Sequence, residues 1–401
     1  MKSRAWIRLG LVLPATLFFA SCASTKISNI EKGKELKLYD DEVGIWKNSE
    51  EMQKSLLKSN FIYKDEALSA YVNNILHKLV QDSVDDKVTL RAYIVEDPNF
   101  NASTTPTGAI FVHTGLLANL DNEAQLATIL GHEATHFLHR HALKSQRSAI
   151  NATAFFSFVQ ISAVAGAGAL AYNGYDPRGA DLISQYIGLG VVGSIYGYSR
   201  DLEKEADETG FHLLEKAGYD PRESKKAFEN LDEATKDEKK LAPYFFQTHP
   251  RVKERIKNFD NYIKNLSKEK NVDIAGIQNA DEFIHMTKDV LLFNAELDLK
   301  RNRPKLAQKQ LEKFDKYFPD NYMVHFLFGK LFNMEKETVK AQEELEKSIS
   351  LNPDFADSRK ELGLLYWKDN EKENARVQFG KYLSLRPEAQ DASYIKGYMN
   401  E

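Results

Sequence analysis

A single cysteine among 401 residues cannot form an intramolecular disulfide. In any compartment this chain is therefore held together by packing rather than by internal crosslinks. A dominant sign of charge is also missing. Lys and Arg number 54 against 58 Asp and Glu, well mixed, for a formal net charge of −4. That balance offers no basic face for a nucleic acid, and no such partner is expected. Uncharged stretches include residues 152–172 and 183–199, with a shorter apolar run at 9–20. What is plentiful is ordinary globular material. With 42% hydrophobic residues the chain can fill more than one packed domain.

The start of the chain reads as a leader. Lys2, Arg4 and Arg8 precede the apolar run, which is too short to span a bilayer, and Phe19-Ala20-Ser21-Cys22 follows as a lipobox. The lone cysteine thus falls where a lipidation site belongs, so residues 1–21 are expected to be removed and Cys22 to carry the lipid. Ordinary cleavage near Ala23 is the alternative. Residues 22–60, polar and lysine-rich, read as a tether.

Chemistry concentrates at Gly131-His132-Glu133-Ala134-Thr135-His136, within a helical pattern from about 121 to 143 that Asp121 or Asn122 can cap. Histidines four apart share a helix face, so His132 and His136 can reach one metal ion. Glu133 rises beside them, placed to move a proton between water and a leaving amine. A third ligand further along the same helix is excluded for a metzincin, because His139 and Ala142 stand where glycine and histidine are needed. Downstream, Ser199-Arg200-Asp201-Leu202-Glu203-Lys204-Glu205-Ala206-Asp207 reads as a capped helix. Glu203 and Asp207 share a face there. One can ligate while the other holds an imidazole.

These two motifs, in this order, resemble the signature of the HtpX-like and BepA-like zinc metallopeptidases, relatives of the CAAX prenyl protease and the mitochondrial Oma-type enzyme. The resemblance extends over roughly residues 61–260. It implies that His132, His136 and Glu203 hold one zinc ion, that Glu133 is the general base, and that Asp207 orients a ligating histidine. Thr248-His249-Pro250 with Arg255-Ile256 is similar to a family element whose histidine can take the open metal position, with Arg255 just behind the ligands. His249 is on that ground a plug, or alternatively a catalytic or substrate-binding residue. Residues 101–117 resemble the strand and turn before the active-site helix. Departures are mild, at Ala134-Thr135 and at Thr-Pro-Thr-Gly before the strand, and remove no reacting group.

Elsewhere the pattern predicts a helix over 67–79, strands over 88–94 and 109–113, and a turn at Asp97-Pro98-Asn99. A strand edge beside the metal helix could hold an extended substrate by main-chain hydrogen bonds. The apolar insertion at about 150–199 is long enough for a membrane hairpin, yet the glycines at 166 and 168 weaken a helix there. A hairpin packed on the protein or dipping into the bilayer surface is the preferred reading. Asp220-Pro221-Arg222-Glu223 predicts a helix start with a capping box. A polar join at about 265–280 leads to the last region. There Ala307, Ala341 and Ala375, then Pro319, Pro353 and Pro387, then Ala295, Gly329 and Gly363 each repeat at 34 residues. That is the tetratricopeptide period.

The expected architecture is α+β and mostly helical: a gluzincin metallopeptidase domain with a small sheet over 61–265, then an all-α tetratricopeptide domain over 280–392. By resemblance, such a protein would be a lipid-anchored endopeptidase on the periplasmic face of the outer membrane. Its clients would be unfolded or misassembled envelope proteins, and its repeats would engage the outer-membrane assembly machinery. The rival is a repeat-bearing chaperone or scaffold with little proteolysis.

Overall fold

A computed structural model describes residues 27–149, 198–235, 249, 251–271 and 274–400. The leader, Cys22 and, but for its last two residues, the apolar insertion lie outside them. Among the described residues no helix is long and apolar enough to cross a membrane.

The described part of the segment read as a tether, from residue 27 on, is folded. Asp40–Lys58 forms helix α1, with Ser49, Met52 and Leu56 buried on a narrow stripe. Glu42 reaches back to the Tyr39 N–H at 3.1 Å. Ahead of it Ile30 is buried, and its N–H donates to the Leu138 carbonyl at 2.7 Å. The stripe is so thin that the surrounding Lys, Glu and Asp hide it in the sequence.

Helix α2 (Glu66–Val80), capped by Asp65, matches its periodicity. Strands β1 (Arg91–Val95), β2 (Ala102–Thr104) and β3 (Ala109–His113) form a sheet ordered β1-β3-β2, with β1 parallel and β2 antiparallel to β3. The second strand was not predicted, since three residues are too few to show alternation. It is the sheet edge next to the metal helix. All three of its residues are buried, so the edge expected to be exposed for substrate is covered in this structure.

Helices α3 (Thr114–Asn119), α4 (Glu123–Leu138) and α5 (His141–Ala149) follow, then α6 (Arg200–Lys216), α7 (Arg222–Thr235) and α8 (Val252–Lys270). All 16 residues of α4 are buried. Asn122 caps it, accepting from the Gln125 N–H at 2.9 Å. At its first turn the buried Glu123 accepts from Tyr71 (2.7 Å), Tyr219 (2.6 Å) and Asn279 (3.1 Å), which ties α2 and two later loops to one helix end. Negative charge is favoured at that end. Glu223 does not close the expected capping box. It accepts instead from Asn122 (2.7 Å) and Gln125 (2.9 Å), clamping α7 to α4. Helices α4 and α6 cross at Gly131 and Gly210, where a Cβ on Gly210 would lie 2.9 Å from the His132 backbone nitrogen. Only a bare backbone fits.

The polar join is stitched down. Asp220 N–H donates to Ile277 O, and Ile277 N–H to Gly218 O, both at 3.0 Å. Beyond it run α9 (Ala280–Lys300), α10 (Pro304–Tyr317), α11 (Tyr322–Met334), α12 (Thr338–Leu351), α13 (Ala356–Lys368), α14 (Lys372–Leu385) and α15 (Ala392–Asn400). The 34-residue register recurs in the backbone. Asn302, Lys336 and Asn370 are all left-handed (φ 57°, 65° and 64°). After each, the next N–H returns to a carbonyl five residues back, as Arg303 to Asp298, Glu337 to Phe332 and Glu371 to Tyr366, at 2.8–2.9 Å. This closing bond satisfies a carbonyl left open at the helix end.

One apolar core runs from Leu68 through Leu130 and Phe228 to Phe283, Leu311 and Leu331. Helix α9 is therefore a wall of the catalytic unit as well as the first helix of the repeats, and a boundary at 280 cuts through packed side chains. In the repeats, a Cβ on Gly363 would sit 2.6 Å from the ring of Phe379. Gly363→Ala should cost about 1–3 kcal/mol of stability by overpacking. Val339→Ala, at a position 71% exposed, should stay within about 0.5 kcal/mol. Chemical denaturation of both variants checks the contrast.

Candidate metal centre

The residues singled out in the sequence come together although they lie on three segments. His132 and His136 stand one turn apart on α4, Glu203 reaches in from α6, and His249 approaches from the chain ahead of α8. Their ligand atoms lie within 4.8 Å of one another, and all four residues are buried. His132 Nε2 is 3.0 Å from His136 Nε2 and 3.2 Å from His249 Nδ1. Glu203 lies 3.6 Å from His132 Nε2, 3.5 Å from His136 Nε2 and 3.1 Å from His249 Nδ1. Donors around an ion with bonds of about 2.0–2.1 Å stand roughly 3.3 Å apart in a tetrahedron. The cluster has that spacing.

Glu133 is fully buried beside the cluster, with one oxygen 3.4 Å from His249 Nε2. Thr104 of β2 donates to both its carbonyl (2.8 Å) and its Oε2 (2.9 Å). Its Oε1 is buried without a hydrogen-bond partner, an orphan that fits a water or metal site. Behind His132, Asp207 Oδ1 stands 3.0 Å from Nδ1. Arg255 donates to Asp207 at 2.6 Å and lies 3.4 Å from Glu203, bracing both acids. It also lies over the Phe228 ring at 4.2 Å.

Burial holds His132 and His136 well below the ordinary imidazole range, so both are neutral and free to ligate. Burial pushes Glu133 up. It also pushes Glu203 up, but His249 and Arg255 outweigh it and keep that carboxyl low. At Asp207 burial wins over Arg255 and raises the carboxyl. For His249 the order reverses again: burial lowers it, but Glu203 and Glu133 prevail and raise it.

Three contributors were not singled out in the sequence. Thr104 lies on the short unpredicted strand. Tyr198, just before α6, stacks on His136 with centroids 3.9 Å apart. His141 meets His136 Nδ1 to Nδ1 at 2.8 Å. On an unbroken helix residue 141 would point about 140° away from 136. The chain instead turns at Arg140 (φ 52°). That turn is gripped from the N-terminal segment, where Arg140 donates to Lys37 O at 2.9 Å and stands over the Tyr39 ring.

Two neutral histidines and a low-lying glutamate around a buried glutamate are the working parts of a metallopeptidase. Residues 66–263 match peptidase family M48, and the chain carries an M48 metallopeptidase domain. It is 31% identical over 195 residues to the putative beta-barrel assembly-enhancing protease of Vibrio cholerae, covering 49% of this chain and 39% of that one. To the mitochondrial metalloendopeptidase OMA1 of Schizosaccharomyces pombe it is 29% identical, covering 48% and 52%. To the beta-barrel assembly-enhancing protease of Escherichia coli it is 24% identical over 269 residues, covering 64% and 50%. The chain thus spans about half or less of the length of these relatives.

Removing the carboxylate from the cluster should empty it. Glu203→Ala is expected to lose stoichiometric divalent metal on gel filtration. Full retention on metal analysis would assign the ligand to another acid.

Proposed function

We propose that this protein is a zinc endopeptidase of the bacterial envelope, anchored through a lipid on Cys22, that acts on unfolded or misassembled envelope proteins. The observation that carries the activity is Glu133, buried and orphaned at one oxygen beside three imidazoles and Glu203. In this reading His132, His136 and Glu203 would hold the zinc, and Asp207, 3.0 Å from His132 Nδ1, would orient that ring. Bound zinc supplies polarisation of the scissile carbonyl and an acidified water. Glu133, its carboxyl held in place by Thr104, would accept a proton from water and return it to the leaving amine. Arg255 keeps Asp207 and Glu203 oriented and offsets their charge.

His249 occupies the remaining corner, against His132, Glu203 and Glu133. An imidazole there stands where attacking water and substrate must enter, so the arrangement is a closed resting state that opens when His249 withdraws. The catalytic unit spans about 61–265 with α1 packed on it, and the repeats over 280–392 offer a surface for clients or for an assembly complex. The envelope setting follows the names of the relatives from Vibrio and Escherichia and the leader read in the sequence.

Casein cleavage and metal content measured on the same preparations test the chemistry. Glu133→Gln should lower cleavage by at least about 100-fold, the lower end expected for losing a general base, with metal retained. His249→Ala should raise basal cleavage with metal retained. Lower activity at full metal occupancy would remove the plug, and an inactive, metal-loaded wild type would favour the scaffold. For the anchor, Cys22→Ser should move the protein from the membrane to the soluble fraction; a variant still sedimenting with membranes would point to the apolar insertion instead.

A further inference from the structure

The two histidines of α4 are backed differently. Asp207, behind His132, is buried, whereas His136 is backed by another imidazole that leads outward. His141, itself fully buried, lies 2.8 Å from His136 Nδ1 through its own Nδ1, and its Nε2 lies 3.4 Å from Glu205 Oε2. Glu205 is 37% exposed and also accepts from His139 Nδ1 at 2.6 Å and from Lys144 at 3.4 Å.

We propose that His141, held by Glu205, is a positioning residue that fixes His136 in its metal-binding tautomer, a role that rests on the zinc reading above. The hydrogen positions follow from the contacts. With Nε2 of His136 turned to the cluster, its hydrogen sits on Nδ1 and is donated to His141 Nδ1. A neutral His141 that accepts there carries its own hydrogen on Nε2, facing Glu205. A line of contacts thus runs from a buried ligand to a carboxylate at the surface: a hydrogen bond between the two imidazoles, then a 3.4 Å approach of His141 Nε2 to Glu205, with His139 and Lys144 on the same acid.

His139, His141 and Glu205 also have their ligand atoms close enough to hold a second cation. The geometry argues otherwise. His141 Nε2 must keep its hydrogen while Nδ1 accepts, and the Lys144 ammonium already occupies the open side of Glu205. The cluster is better built to orient His136 than to bind metal.

The test uses full-length protein, zinc affinity by chelator competition, and the visible spectrum of the cobalt form. His141→Ala should weaken zinc binding by about 10–100-fold and shift the cobalt bands. His141→Gln, whose amide oxygen can accept from His136 Nδ1–H, should recover most of both. Glu205→Ala should weaken binding less, in the same direction. A folded His141→Ala with wild-type affinity and spectrum would overturn the proposal. If that variant does not fold, wild-type values for Glu205→Ala overturn it. Two cobalt ions per chain, falling to one in Glu205→Ala, would overturn it by making the cluster a metal site. Failure of the zinc reading looks different: wild type binding no metal, or His132→Ala binding it as tightly, sinks both readings together.

Discussion

Everything at the centre depends on the contact between Gly131 and Gly210. Two helices that touch backbone to backbone have no side chain between them to set their separation, so their distance is as small as helices allow. Glu203 sits two turns ahead of Gly210 and Asp207 one turn ahead, and the close crossing delivers both acids to the histidines of α4. A side chain at Gly210 would push α6 back from the His132 backbone, 2.9 Å away, whereas one at Gly131 would meet the Gly210 carbonyl at 3.1 Å and need a smaller shift. The ligand spacing is thus an outcome of helix packing.

The same logic explains how much of the site was legible in the sequence. His132, Glu133 and His136 lie on one helix, and a helix has a known period, so their convergence could be read directly. Glu203 and Asp207 could be placed on a common face, but only the family resemblance chose the ligand. His141 could not be found that way. Its contact with His136 requires the left-handed turn at Arg140, and no glycine or proline announces that turn; Lys37 and Tyr39, a hundred residues earlier, hold it. Thr104 was hidden for a similar reason, on a strand too short to alternate. The repeats were legible because the small residues recur where helices cross. Of their left-handed closing residues, Asn302 and Asn370 are of a type suited to that conformation but Lys336 is not, so the column is broken in the sequence.

The separation of catalytic unit and repeats is weaker than the change in sequence pattern implied. Tyr63 of the catalytic unit meets Phe293 of α9 edge to face with centroids 5.4 Å apart, and Arg301 and Arg303 reach back to the turn at Asp97–Asn99. The first helix of the repeats is therefore joined by side chains to the turn that follows β1. Later repeats contact mainly their neighbours, as solenoids do, and can vary without disturbing the centre.

The folded N-terminal segment also bears on where the enzyme can work. Ile30 is pinned to Leu138 at the end of the metal-binding helix, two residues past His136. Only seven residues separate Ile30 from Cys22, and the eight steps between them reach about 26–29 Å fully extended. With a lipid on Cys22, the leash is shorter than the thickness of the bilayer it hangs from. The end of the active-site helix would then be confined to a shell against the membrane surface.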